Sequence, residues 1–266
     1  MNGVRDAVLS DQLVRQFRKE GWIKVDRLLE EDALIRVQKA LDVVLANEER
    51  FEGEQAYRAE PRFRSQFANL RHRPQETREL NIGWNPKLGE VARILLGVEH
   101  VQLFAEGGVI KPARQEGARA TRWHQDLPRQ PFDRRDALTI WIAAEDIGLE
   151  RGPLAFLPGS HRLGPLGRLD MTLDGQDDIY AKFTDADLEL VGRPVTHPLR
   201  AGDATIHCAL LFHSAGSNES DRPRRAWAVT YMSSETLYNG APSGSIEGVN
   251  LKPNQPFDRN AFPLVA

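Results

Sequence analysis

The sequence has a single cysteine, Cys208, in 266 residues. That excludes an intrachain disulfide and any zinc or iron–sulfur site built from several thiolates, and it suits a reducing cytoplasm. An excess of either charge is missing too. The 35 lysines and arginines against 38 carboxylates leave a formal charge of −3, without the basic footprint of a nucleic-acid binder. No apolar run approaches the ~20 residues that span a bilayer. The opening stretch MNGVRDAVLSDQLVRQF carries charges where a secretory leader would be apolar. Internal repeats, low-complexity segments and an obvious linker are also lacking. The expectation is therefore one cytoplasmic globular domain over 1–266 that acts on a small molecule, with no nucleic acid and no membrane as partner.

What is present reads as helices first and strands later. Ser10 is an N-cap for a helix in which Leu13, Val14 and Phe17 recur at helical spacing before Gly21 ends it. The run WIKV reads as a strand. A second helix, from about Glu30 to Ala46, places Leu34, Val37, Leu41 and Val44 on one face, and a third begins at Pro86 and stops at Gly97. Beyond Gly97 come short β-like runs, VQLFA, ALTIWIAAE, PLAFLP, RPVTHPL, DATIHC and AWAVTYM, separated by turn residues. This order predicts an α+β protein, with 1–97 mostly helical support and 98–266 an antiparallel sheet or barrel. Residues 162–193 are polar and rich in Gly and Asp, and read as a surface excursion from the barrel. Gly164, Gly167 and Gly175 are its candidate hinges, and Tyr180 and Phe183 its apolar contacts over an active site.

The chemistry-bearing stretch is RWHQDLPRQ. On a strand, residues i and i+2 share a face, so His124 and Asp126 can aim a nitrogen and an oxygen at one point while Gln125 faces away. By itself His-x-Asp is a weak signal. A second histidine would complete two histidines and one carboxylate with open positions, the arrangement diagnostic of non-haem Fe(II) oxygenases. His161, His207 and His213 are the available donors. His213 sits where a strand end runs into small polar residues and then the basic stretch DRPRR. Taken singly, His207 reads as a core or pocket-lining residue and His161 as securing a turn. Lys111 reads as an ordinary surface lysine, and Cys208 as a small buried apolar residue with no base to activate it.

In order along the chain, FRKEGWIKVDRLLEEDAL, IKP, WHQD, LTIWIAAED, GPLAFLPGSH and GDATIHCALLFHSAGSNESDRPRRA give a sequence that resembles the phytanoyl-CoA dioxygenase family of Fe(II)- and 2-oxoglutarate-dependent oxygenases. The resemblance covers nearly the whole chain. It implies a double-stranded β-helix, a jelly-roll or cupin-like barrel. It also implies Fe(II) bound by His124, Asp126 and His213, with 2-oxoglutarate and dioxygen as cosubstrates. Arg224 would hold the distal carboxylate of 2-oxoglutarate, and Thr139 and Trp141 would line its pocket. Strand alternation sends Arg224 and its neighbour Arg225 to opposite faces, so only one can serve, and the family register favours Arg224. One departure stands out: the family often has a serine two residues after the distal histidine, where this chain has Ala215, its serine being Ser214. The implied reaction oxidises an unactivated C–H bond, giving hydroxylation, epimerisation or cyclisation, as in bacterial secondary-metabolite tailoring. Asp126 argues against a halogenase, which needs that carboxylate replaced. The competing expectations are a lipid or acyl-CoA hydroxylase of the same family and a catalytically inactive barrel acting as a binding module.

Overall fold

Ser10 caps the first helix, α1 (Asp11–Glu20), by accepting a hydrogen bond from the Leu13 amide, and Gly21 ends it in the left-handed conformation at φ 82°. Strand β1 (Trp22–Val25) follows, then helix α2 (Glu31–Ala46). Helix α3 (Pro86–Leu96) starts on an Asn85 cap with proline in its first turn and stops at Gly97, φ 66°. The computed structural model describes residues 3–4, 9–46, 82–116, 118, 120–134, 136–166 and 179–266. Gly167, Gly175 and the DGQDD run of the excursion, and the side chain of Val44, lie outside what is described.

Among the described residues eight further strands follow: β2 (Val101–Lys111), β3 (Thr121–His124), β4 (Ala137–Ala143), β5 (Leu154–Phe156), β6 (Val195–Thr196), β7 (Ala204–Cys208), β8 (His213–Ala215) and β9 (Arg224–Ser233). They form two antiparallel sheets, ordered β1-β7-β4-β9-β2 and β3-β8-β5-β6. The chain is thus an α+β protein, as its element order implies, with the cupin-like double-stranded β-helix that the family resemblance implies. Strand β2 runs well beyond the expected VQLFA, because Gly107 and Gly108 stay paired with β9 instead of breaking the strand. The expected strand RPVTHPL is reduced to two residues.

Alternation along the central strands divides the core. Leu138, Ile140 and Ile142 of β4 and Trp227, Val229 and Tyr231 of β9 join Val37, Leu41, Leu88 and Val91 of the helices in one cluster. Burial of each such side chain stabilises by about 1.5–3 kcal/mol, which fixes the helices to the outer face of the larger sheet. The opposite face carries Thr139 and Trp141 of β4 and Ala226, Ala228 and Thr230 of β9, all buried. This inner face meets the smaller sheet through a stack of Trp22 on Phe156, centroids 4.8 Å apart.

At the smaller sheet's edge, Gly152 adopts φ 63° after the turn Leu149–Arg151. A Cβ there would fall 2.2 Å from the Gly216 carbonyl oxygen and 2.6 Å from that of Ser217. Both the dihedral and the close approach require glycine. Gly152→Ala is expected to cost about 1–3 kcal/mol, seen as a fall of several degrees in the thermal midpoint against a nearly unchanged midpoint for the exposed Gly192→Ala, which has no left-handed φ and whose Cβ would meet Pro158 only at an ordinary 3.4 Å.

Candidate active site

His124 ends β3 directly opposite His213 on β8, and the two imidazoles are 4.1 Å apart between centroids. Asp126 reaches them by a route that strand alternation does not describe. The strand stops at His124, and Asp126 has helical dihedrals, φ −77° and ψ −44°, at the start of a short turn over Leu127–Arg129. Pro128 favours this turn, since it has no N–H for a ladder and its fixed φ suits a helical bend. The amides of Asp126 and Leu127 both donate to the Ala209 carbonyl at 2.9 Å, which folds the carboxylate back toward the histidines.

The hydrogen bonds fix the tautomers. His124 Nδ1 lies 2.8 Å from the Arg122 carbonyl and His213 Nδ1 3.0 Å from the Leu211 carbonyl. A carbonyl can only accept, so each Nδ1 carries the proton and each Nε2 offers a lone pair. Those Nε2 atoms stand 3.5 Å and 3.7 Å from Asp126 Oδ1, and one ligand atom from each of the three residues falls within 4.8 Å of the others. Burial pushes the His213 imidazole well below the usual histidine range, helped by His124. Burial alone would raise the Asp126 carboxyl, but the imidazoles of His213, His124 and His207 outweigh it and hold the carboxyl well below its ordinary value. A neutral imidazole at His213 beside an ionised carboxylate is the protonation state that a divalent metal needs. A set of two nitrogens and one oxygen on one side leaves positions open.

Two residues beyond His213 the barrel interior turns cationic. Arg224 is 2% exposed, and its guanidinium lies 5.0 Å from the Trp141 ring centre. One of its terminal nitrogens donates to the Gly152 carbonyl. Its Nε, the Trp141 Nε1 and the Thr205 hydroxyl are buried without a hydrogen-bond partner among the described residues. Burial, with Arg151 nearby, lowers the Arg224 pKa to about 10, which still leaves it charged at neutral pH. Arg225 points the other way, to Asp42 Oδ1 at 2.9 Å and Glu145 Oε2 at 3.5 Å.

Lys111 is not the surface lysine expected. It pairs with Arg224 across β2 and β9, is 2% exposed, and donates to the Gly216 carbonyl with Ala215 O and Thr121 Oγ1 at 3.5 Å. Burial and the Arg224 charge push its ammonium well below the usual range. The buried Arg224 guanidinium with the Lys111 amine abreast of it, the orphaned donors, and the small residues Gly107, Ala226 and Ala228 make a cradle for an anion. Thr139 also faces this interior, its hydroxyl 3.1 Å from that of Thr230. Ala215 shares the His213 face of β8, so Ser214 is turned away and cannot take the missing serine's place.

The other singled-out residues fall around this centre. Gln125, 2% exposed, donates to the carbonyls of Gly164 and Leu210 and accepts from the Leu166 amide, tying the root of the excursion to the turn between His124 and Asp126. Tyr180 and Phe183 pack with Trp123, Leu157 and Phe212; they are committed to the body of the fold. His161 bonds to the Arg18 carbonyl at 3.2 Å and secures α1. Cys208 is buried, its thiol pushed well above the ordinary range by burial and by Asp136. Asp136 itself is raised to about 6 by burial. His207 lies against the metal cluster, its ring 4.4 Å from that of His213.

With this geometry in place, the comparisons with known proteins are specific. The carbocyclase SnoK from nogalamycin biosynthesis, described as non-haem and α-ketoglutarate dependent, superposes with a TM-score of 0.78 at 25% identity over 100% of both chains. The epimerase SnoN, solved with Fe3+, α-ketoglutarate and nogalamycin RO, gives 0.73 at 25% identity over 96% of this chain and 98% of that one. Phytanoyl-CoA dioxygenase domain-containing protein 1 of Danio rerio is 33% identical over 118 residues, 42% of this chain and 39% of that protein. The match thus spans well under half of that curated relative. Among the described residues, no helix is long and apolar enough to cross a membrane. The sequence pattern of the phytanoyl-CoA dioxygenase (PhyH) family matches residues 17–226, and the chain belongs to this family of non-haem Fe(II)- and 2-oxoglutarate-dependent oxygenases.

Proposed function

We propose that the chain is a single oxygenase unit that binds Fe(II) through His124, Asp126 and His213, holds 2-oxoglutarate against Arg224, and oxidises an unactivated C–H bond of a free small molecule. The observation that carries this reading is the pair of carbonyl-locked imidazoles whose Nε2 atoms converge on one oxygen of an ionised carboxylate. When bound, Fe(II) and 2-oxoglutarate supply an oxidant drawn from dioxygen that is strong enough to break such a bond.

The protein's own groups set position and exclude water. Along β8, Lys111 meets the backbone at Ala215, two residues past His213, or about 7 Å at strand spacing. A five-carbon dicarboxylate would be long enough for that span. Arg224 presents a planar fork to its far carboxylate, Lys111 adds a second N–H donor that an incoming anion would help to keep charged, and Trp141 walls the pocket with its N–H. Thr139 and Thr230 offer hydroxyls between this anchor and the metal end.

The substrate class rests on the neighbours. SnoK and SnoN match over nearly their full lengths, and both act in the biosynthesis of one natural product. Tailoring of a secondary metabolite, by hydroxylation, epimerisation or ring closure, is therefore the preferred role.

Addition of Fe(II) and 2-oxoglutarate to the protein without oxygen is expected to give a weak visible charge-transfer band. A colourless mixture, with no succinate released on admitting air, would reject the oxygenase reading in favour of a binding module. His213→Ala should abolish both the band and the metal binding, whereas His161→Ala should leave them in place. Arg224→Lys keeps a charge but loses the fork, worth about 1.5–3 kcal/mol for a charged hydrogen bond. Its KM for 2-oxoglutarate should rise roughly tenfold to a hundredfold while KM for the main substrate moves little. If Arg225→Lys shows that defect instead, the anchoring role passes to Arg225.

A further inference from the structure

The two oxygens of the Asp126 carboxylate have different neighbours. Oδ1 faces the Nε2 atoms of His124 and His213, at 3.5 Å and 3.7 Å. Oδ2 faces His207 Nε2 at 3.7 Å. His207 comes from the middle of the larger sheet, paired with Trp22 on one side and Thr139 on the other. It is 2% exposed and packed between the rings of His213 and Phe156, with centroid separations of 4.4 Å and 5.5 Å.

What separates His207 from the other two imidazoles is its Nδ1. In His124 and His213 that nitrogen is held by a backbone carbonyl two residues upstream. In His207 neither ring nitrogen has a hydrogen-bond partner among the described residues. A neutral imidazole must carry its proton on one nitrogen or the other, and a buried N–H without an acceptor costs about 1–3 kcal/mol. Only one choice removes that cost without strain. With the proton on Nε2, Asp126 Oδ2 is 3.7 Å away, a few tenths of an ångström of carboxylate movement from accepting it; with the proton on Nδ1, a lone pair would stand against a carboxylate.

We propose that His207 is a positioning residue for the metal site: its Nε2–H donates to Asp126 Oδ2 and holds the carboxylate so that Oδ1 alone is offered to the metal. The inference rests on the metal assignment above and adds a fourth residue that touches the carboxylate but not the ion. Such a bond turns the carboxylate's orientation into a property of the sheet. It also keeps the second oxygen from occupying a metal position that a cosubstrate needs. The short turn that carries Asp126 has no side-chain cap of its own, so the larger sheet supplies through His207 the restraint that the turn lacks.

The test uses Co(II) in place of iron, read by its visible d–d bands, on the full-length protein. His207→Phe keeps a ring against Phe156 and His213 and removes both nitrogens. It is expected to weaken Co(II) binding roughly tenfold to a hundredfold, at an unchanged stoichiometry of about one, with altered d–d bands. His207→Gln restores a donor and should recover most of the affinity and the parent spectrum. Parent-like affinity and spectrum in His207→Phe would overturn the proposal. So would loss of all binding in His207→Phe if His213→Ala still binds, because His207 would then be a ligand and the metal assignment itself would be wrong. A check that needs no substitution is the 15N-resolved imidazole spectrum of the Zn(II)-loaded protein. A proton on Nε2 of His207 is expected, and a proton on Nδ1 or on both nitrogens contradicts the proposal.

Discussion

An ionised carboxylate drawn partly out of water and ringed by imidazoles is the constraint around which this molecule is arranged. Removing such a charge from water costs several kcal/mol unless partners compensate for it. At Asp126 the compensation comes from imidazoles on two different sheets, His124 and His213 on the smaller one and His207 on the larger. Bringing those sheets face to face is therefore a condition for the site and not merely its scaffold. Stacking of Trp22 on Phe156 and the packing of His207 between Phe156 and His213 are the places where the two sheets are fastened at this level.

The same interior holds the opposite charge a short distance away. Arg224 and Lys111 are each about as buried as a core leucine, and the backbone carbonyls of Gly152 and Gly216 that receive their protons belong to neighbouring turns. A barrel with an anionic end and a cationic end is polarised along the direction proposed above for 2-oxoglutarate. In the weakly screened interior both ends act more strongly than they would in water. Preorganisation of this kind carries a penalty in the absence of ligand, and the helices packed on the outer face of the larger sheet supply apolar burial that offsets it.

Much of this was readable from the chain. The caps at Ser10 and Gly21, the proline and glycine at the ends of α3, and the alternation that separates Arg224 from Arg225 are local signals, and local physics decides them. His124, Asp126 and His213 could be named through the family pattern, although strand geometry was the wrong reason for Asp126. A short turn begun by Pro128, and not the period of a strand, brings it round. Lys111 was hidden because a lysine beside a proline at a strand end has the composition of a surface residue. Only the pairing of β2 with β9, a contact between distant segments, places it beside Arg224. His207 was legible as an inward-facing residue and no further, because the carboxylate oxygen it faces arrives from another part of the chain.

The excursion leaves the smaller sheet after β5 and returns at β6, the edge strand of that sheet. Strands β3 and β8, which carry the histidines of the metal cluster, lie on the other side of β5 and are joined to each other without passing through it. Lengthening a surface connection costs only about 0.6 kcal/mol for each doubling, and here it would leave the His124–His213 register untouched. A fold wired this way separates two rates of evolutionary change. The middle of the loop can be rewritten while the histidine-bearing strands stay fixed, and Gln125 at its root, with Tyr180 and Phe183 packed by Trp123 and Phe212 near its return, marks seams where the two must remain compatible.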